Sequence, residues 1–284
     1  MYIPQLKGPL TIYGSTKDTT SYASNQVTIT AKGALLNAAN DDATATLRVW
    51  TTNFKMCKCE DFAAASPTDH LLTISSHTDN VNVKNTYGKG SQALALSANS
   101  GQQGYYACGF YGYQDTVLAQ SGAQLYAKSY IEGATDFIFG QRAQAWLEQI
   151  HIGVLASSQG YITASGRTSN DAGYYVINKS TIAAAAGNSV PAGAYFLGRP
   201  WGAFARVVFQ STSMTNVINA AGWHIWNTGD TRTSNVVFQE YANTGAGASG
   251  TRASFSKKIS TPVAISTVLG SGYASAHYVD ASYL

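Results

Sequence analysis

The chain has 284 residues, enough for one large core, and all-β folds of this length commonly remain a single domain. Only 12% of the residues are charged and the formal charge is +3, too mild and too dispersed for a nucleic-acid partner, which requires clustered Lys and Arg. No apolar run reaches bilayer-spanning length, which excludes a membrane protein of the helical kind, and three cysteines give no disulfide framework.

The start, MYIPQLKGPLTIYG, lacks the charged region and apolar core of a signal peptide and reads as the middle of a strand. Short alternating runs follow at Leu10–Tyr13, Val27–Ile29 and Leu47–Trp50, separated by Gly, Ser, Asn and Asp clusters, the pattern of strands joined by turns. Residues 57–79, CKCEDFAAASPTDHLLTISSHTD, interrupt this pattern with no strand period of their own. Their Cys-Lys-Cys pair is poor support for a metal site. Leu94 and Leu96 are expected on one face of the next strand.

From Cys108 to Gly140 the chain repeats itself. Phe110, Gly112 and Asp115 recur 21 residues later as Ile131, Gly133 and Asp136, and the same step from Ile131 reaches Ile152, followed by Gly153. Repeats of this length fit a leucine-rich horseshoe or a parallel β-helix, and the horseshoe's leucine ladder is missing. The expected fold is all-β, a parallel β-helix. Strands continue at Gly160–Ala164, Tyr174–Asn178, Ala194–Leu197, Arg206–Gln210 and Asn235–Tyr241, and the glycine-rich Gly245–Gly250 precedes a tail, Thr251–Leu284, expected to cap or pack along the solenoid. Asn178-Lys179-Ser180 matches a glycosylation acceptor, a triplet common by chance.

Rungs of a β-helix lie about 4.8 Å apart, so Asp115 and Asp136 are expected to face one groove as neighbours. Two carboxylates that close do not both ionise readily; one holds a proton and the other stays anionic, giving an acid and a nucleophile or base. The same residues would also serve as strand terminators. Gln114 precedes Asp115 and Gln92 lies one coil earlier, placed to donate to an oxyanion or to form a polar ladder. Arg199 in LGRPW can grip a carboxylate with its fork, and Trp201 can stack on a sugar ring or fill the core. No G-x-S-x-G elbow and no His-rich metal spacing is present.

SQALALS at Gln92, GYQDT at Gln114 and Asp115, YIEGATDFIFG at Asp136, LGRPW at Arg199 and Trp201, and GWHIW at Gly222–Trp226 together closely resemble the pectin methylesterase family, particularly its fungal type. The resemblance implies a right-handed single-stranded parallel β-helix and hydrolysis of the methyl esters of homogalacturonan by a secreted monomer without metal or cofactor. Carried over, it makes Asp136 the nucleophile, Gln92 and Gln114 the oxyanion donors, Asp115 the proton donor to methanol and then the base for water. Arg199 orients Asp136, and Gln92, Arg199 and Trp201 bind substrate.

Two departures from the family stand out. By the family's pattern a secretion signal and a first coil are expected upstream of the segment that begins at Met1, and residues 57–79 interrupt what the family runs straight through. Cys-Lys written TGT-AAG contains a splice donor and Thr-Asp written ACA-GAY an acceptor. Joining them leaves one tyrosine codon, so the segment is expected to be a translated intron. The alternatives are a glycoside hydrolase on the same scaffold, or a catalytically silent pectin-binding solenoid. A pectate lyase would need a calcium-binding acid cluster that this chain does not show.

Overall fold

In the computed structural model, every residue except Ser15, Lys17, Thr19 and residues 57–69 and 74–80 is described, with no side-chain detail for 70–73. The expectation of an intron-derived insert at 57–79 therefore falls mostly outside the described residues, as does its Cys-Lys-Cys pair; the described part corrects the expectation that the stretch has no strand, because His70–Thr73 is a strand paired in parallel with Leu10–Tyr13.

Among the described residues the strands form three sheets of seven, ten and seven strands, and every strand pairing within them is parallel. The chain visits the sheets in turn: Val117–Ala119 in the first, Ser121–Ala127 in the second, Tyr130–Gly133 in the third, then Thr135–Gly140 back in the first. This is the expected parallel β-helix. Its register gives the 21-residue step a physical meaning, since Phe110 pairs with Ile131 and Ile131 with Ile152. Ile182 and Met214 continue the column, and all of these side chains are buried in one core. Stacking like on like lets each rung bury an apolar face that it could not cover alone.

The corners between the second and third sheets are two residues long. Ala107, Lys128, Gln149, Lys179 and Ser211 each take a left-handed conformation there, with φ of 47° to 52°. Each amide donates to a carbonyl of the next rung, as from Ala107 to Ala127 at 2.9 Å. Inside the corner Ser129, Ser180 and Thr212 hydroxyls accept from backbone amides of neighbouring rungs. The backbone polar groups of a tight turn are thereby satisfied out of water.

The tail packs along the outside of the second sheet. Val268, Leu269, Tyr278, Val279 and Tyr283 cover Tyr106, Leu125, Trp146 and Val208. Tyr106 Oη donates to the Tyr278 carbonyl at 2.7 Å, and Gln210 both donates to and accepts from the Val263 backbone.

One further expectation needs correction. Leu94 and Leu96 do not share a face: Leu96 lies in the main core, whereas Leu94 joins Leu118, Phe139 and Ala164 in a small outer cluster. The amides of Ala95 and Leu96 both donate to Thr116 O, an irregularity that turns the alternation over. The glycine of the repeat is not carried into the next rung, where Val154 pairs with Gly133 and Gly153 with Glu132. Asn178 is buried, donating to Glu148 Oε2 at 2.7 Å and accepting from Gln210 at 2.9 Å, so it is closed to a glycan.

Candidate active site

The groove lies on the outer face of the first sheet, where the rungs bulge. Thr135 pairs with Tyr161 and Ile138 with Thr163, so Asp136 and Phe137 together oppose one residue, Ile162. The extra residue takes a left-handed turn at Asp136, with φ 52°, and the rung before repeats it at Asp115, with φ 63°. Gln114 bridges to Thr135 and Val117 pairs with Ile138, so the two bulges stack and bring the two carboxylates to one level. Non-glycine residues adopt this conformation at a cost, most readily Asp and Asn, and it is concentrated where function needs a side chain re-aimed. The approach to the bulge explains the repeated glycine: a Cβ on Gly133 would stand 2.3 Å from that of Phe137, and one on Gly112 2.7 Å from Thr116 Oγ1.

Asp115 and Asp136 are each only 7% exposed, yet their surroundings differ. Arg199, at the end of the strand Tyr195–Arg199, donates from Nε to Asp136 Oδ1 at 2.9 Å and from Nη2 to Oδ2 at 2.7 Å. The guanidinium is held between the rings of Tyr161 and Trp226, at 4.1 and 4.4 Å from their centres. Gly198 lets this strand approach its neighbour, since a Cβ there would meet Thr163 Oγ1 at 2.0 Å. Asp115 makes no such pair.

Burial raises both carboxylates above their usual range. For Asp136 the Arg199 hydrogen bonds and charge oppose that rise. For Asp115 burial is reinforced by the charges of Asp136 and Asp41, and its pKa is pushed up to about 9. Direct hydrogen bonds to the anion decide the order within the pair, so the proton sits on Asp115 and the charge on Asp136.

Gln92, Gln114, Asp115, Asp136, Arg199 and Trp201 thus meet in one groove of about 280 Å³. All six sequence-selected residues are brought together. Among the described residues neither Gln92 nor Gln114 has a side-chain hydrogen-bond partner, so both amides are free to donate. Trp201 is half-buried against Phe139 beside the small outer cluster, which leaves part of its ring for a ligand. Three residues that contribute were not selected from sequence: Asp41 and Trp226 line the groove and Tyr161 braces Arg199. Within GWHIW, Trp223 is a core residue stacked on Phe238 at 4.3 Å, and Trp226, three residues on, faces the site. A larger hollow of about 470 Å³ on the third sheet, beside Tyr22, Tyr130 and His151, contains none of the candidate residues.

No cluster of three or more His, Cys, Asp or Glu arranged to hold a metal occurs among the described residues. Cys108 is buried, with its thiol pushed up to about 12 by burial, and takes no part in the groove.

Comparison with known proteins identifies the family. The family model described as Pectinesterase matches residues 18–280. Pectinesterases of Aspergillus niger and Aspergillus aculeatus are each 50% identical across the whole of this chain and 80% of their own length. Among solved structures, the pectin methylesterase from Aspergillus niger matches with a TM-score of 0.82 at 35% identity, covering 98% of this chain and 86% of that one. The pectin methylesterase from carrot matches with a TM-score of 0.75 at 25% identity, covering 97% and 86%. The chain belongs to the pectinesterase family, and its activity is hydrolysis of the methyl esters of pectin.

Proposed function

We propose that this groove demethylates galacturonate esters through a covalent intermediate on Asp136. The observation that carries the proposal is the unequal treatment of two stacked carboxylates: Arg199 makes two hydrogen bonds to Asp136, and Asp115 makes none to it.

The steps follow from that asymmetry. A carboxylate oxygen of Asp136 attacks the ester carbonyl carbon, and the carbonyl oxygen takes up the negative charge. The free amides of Gln92 and Gln114 donate to that oxygen, where fixed donors in a site shut off from water are worth most. The tetrahedral species collapses, the C–O bond to the methoxy group breaks, and Asp115 gives its proton to the departing methanol. The product of this half is an anhydride between Asp136 and the galacturonate. Asp115, now anionic, takes a proton from water, whose oxygen attacks the sugar's carbonyl carbon, and Asp136 leaves as the carboxylate that Arg199 holds. Arg199 favours that ionised form throughout, and Trp201 offers a ring face to the sugar chain.

Asp115→Asn combined with a galacturonate ester of an acidic alcohol, which needs no proton to leave, separates the two halves. The expected trace is a burst of one equivalent of alcohol per enzyme followed by a stall. Steady turnover at the wild-type rate would remove Asp115 from the activation of water.

We also infer that the working enzyme is a secreted monomer, and that residues 57–79 are foreign to it. Replacing them by one tyrosine leaves two residues, that tyrosine and Asn80, between the strands Phe54–Met56 and Val81–Asn85. Two is the length of the corners at Ala107-Cys108, Lys128-Ser129, Gln149-Ile150, Lys179-Ser180 and Ser211-Thr212. Sequencing the message across this junction tests the inference, and a mature transcript that still encodes Cys57–Asp79 ends it.

A further inference from the structure

Asp41 and Asp42 are adjacent in sequence and opposite in environment. Both stand in the short helix Asp41–Thr44, capped by Asn40, whose side chain accepts from Ala43 N at 2.9 Å. Asp42 is saturated: Arg48 pairs with it, and Ser97, Trp50 and Asn99 donate to its Oδ1. Burial would raise its pKa, but the hydrogen bonds from Ser97, Arg48 and Trp50 bring it below the usual value.

Asp41 has none of these partners. It lines the catalytic groove with Gln92, Gln114 and Asp115. Its Oδ1 is sealed from water and has no hydrogen-bond partner among the described residues. Buried polar oxygens are normally paired, and leaving one unpaired is costly; Asp41, unlike Asp42, holds its Oδ1 without a donor to offset the charge.

Its position along the solenoid gives it a direction. Asp41 precedes the strand Leu47–Val49, which pairs with Leu96–Ala98 on the side away from Val117–Ala119. Arg199 lies at the opposite end of the same sheet, beyond the Asp136 rung. The titratable groups lining the groove are Asp41, Asp115, Asp136 and Arg199. Arg199 is committed to Asp136 by two hydrogen bonds, so the Asp41 end carries negative charge with no cation among the described groove residues to offset it. The influence reaches the reacting groups, because Asp41 adds to the forces that keep the proton on Asp115.

We propose that Asp41 is a specificity-determining residue: its charge excludes a free carboxylate on the neighbouring galacturonate. The reading rests on the assignment of Asp115 and Asp136 as the reacting pair. It makes the enzyme act where the neighbour on the Asp41 side is still methyl-esterified. A residue just demethylated is then a poor neighbour for the next cut on that side. The selection is by repulsion of the wrong neighbour.

The test compares kcat/KM, at neutral pH, on galacturonate oligomers that are fully methyl-esterified with oligomers carrying one free carboxylate beside the reacting ester, on either side. Wild type should discriminate against the free carboxylate on one side by roughly tenfold, the scale of two charges close together in a partly solvated site. Asp41→Asn, of the same size and without the charge, should reduce that discrimination to about twofold, as expected when the Coulomb component is gone. It should also move the basic limb of the pH profile to lower pH, since Asp115 loses a neighbour that raised its pKa. A merely structural role for Asp41 would move neither the ratio nor the limb. Asp41→Ser is the second neutral variant, and thermal melts establish that each is folded. Wild type without discrimination, or a folded neutral variant that discriminates like wild type, overturns the proposal. Each ratio is internal to one variant, so failure of the nucleophile assignment shows separately, as activity in Asp136→Asn.

Discussion

Two stacked pairs, each separated by the same 21-residue step, differ in one respect. Inside the solenoid Gln103 and Gln124 donate to backbone carbonyls of the rungs below, and Tyr105 and Tyr126 donate in turn to their Oε1 atoms at 3.0 and 2.8 Å. The two tyrosine rings stack at 4.9 Å. Every polar atom of that ladder is paired, so the pair is inert. On the groove face the same step stacks Asp115 on Asp136, and there the pairing is incomplete: Arg199 serves one carboxylate, and the amides of Gln92 and Gln114 remain open. The scaffold supplies the alignment in both places. Reactivity comes from what is left unsatisfied.

The comparison can be broken from either side. On the groove, Arg199→Lys keeps a cation but loses the planar two-bond fork. The expected fall in kcat is on the order of 100-fold, because orientation of the nucleophile is lost while the substrate still binds. The acid limb of the pH–rate profile should move to higher pH, since Asp136 loses the bonds that favour its anion. A variant with unchanged kcat and an unmoved limb would separate Arg199 from the chemistry.

Stability should also carry the signature of Asp115. Its folded pKa, about 9, lies above its ordinary value of 3.8, so between those values the folded state holds a proton that the unfolded chain has released. The contribution is therefore fully present below pH ~4 and is lost as pH rises towards ~9, with a slope of at most about 1.4 kcal/mol per pH unit. Asp115→Asn lacks this titration, so its melting temperature relative to wild type should rise across that window. A constant difference would show that Asp115 is not raised.

From the inner side, Tyr126→Phe removes the donor to Gln124 Oε1 and leaves a buried oxygen unpaired. The expected cost is about 1–3 kcal/mol of stability, read by denaturant unfolding, with kcat/KM on methylated pectin within about twofold of wild type because Tyr126 lies outside the groove. A loss of activity without a loss of stability would erase the distinction between the two ladders.

How much of this was legible in sequence follows from where the residues sit. Asp115 and Asp136 belong to the repeat, so period alone places them, Gln114 adjoins Asp115, and Arg199 and Trp201 lie in a rigid Gly-Arg-Pro-Trp segment at a strand end. The bulges were not legible: nothing in the local pattern separates Leu94 from Leu96, and only the register shows that the backbone turns over between them. Asp41 and Tyr161 reach the site from rungs on either side of the repeat, so no local spacing marks them. Trp226 had a signal, the three-residue interval from Trp223, but which tryptophan faces inward depends on the packing against Phe238. The Asn178 triplet is uninformative for the same reason, since a sequence motif does not record that its side chain is enclosed by Glu148 and Gln210.

The most direct test of the central claim is methanol release from esterified pectin by Asp136→Asn, with circular dichroism and a thermal melt to establish that the solenoid is intact. The substitution keeps the size of the side chain and removes its negative charge. The account predicts a folded protein whose methanol release falls by at least about 1,000-fold, as expected when a covalent nucleophile is removed. A folded variant that keeps activity within tenfold of wild type would contradict it.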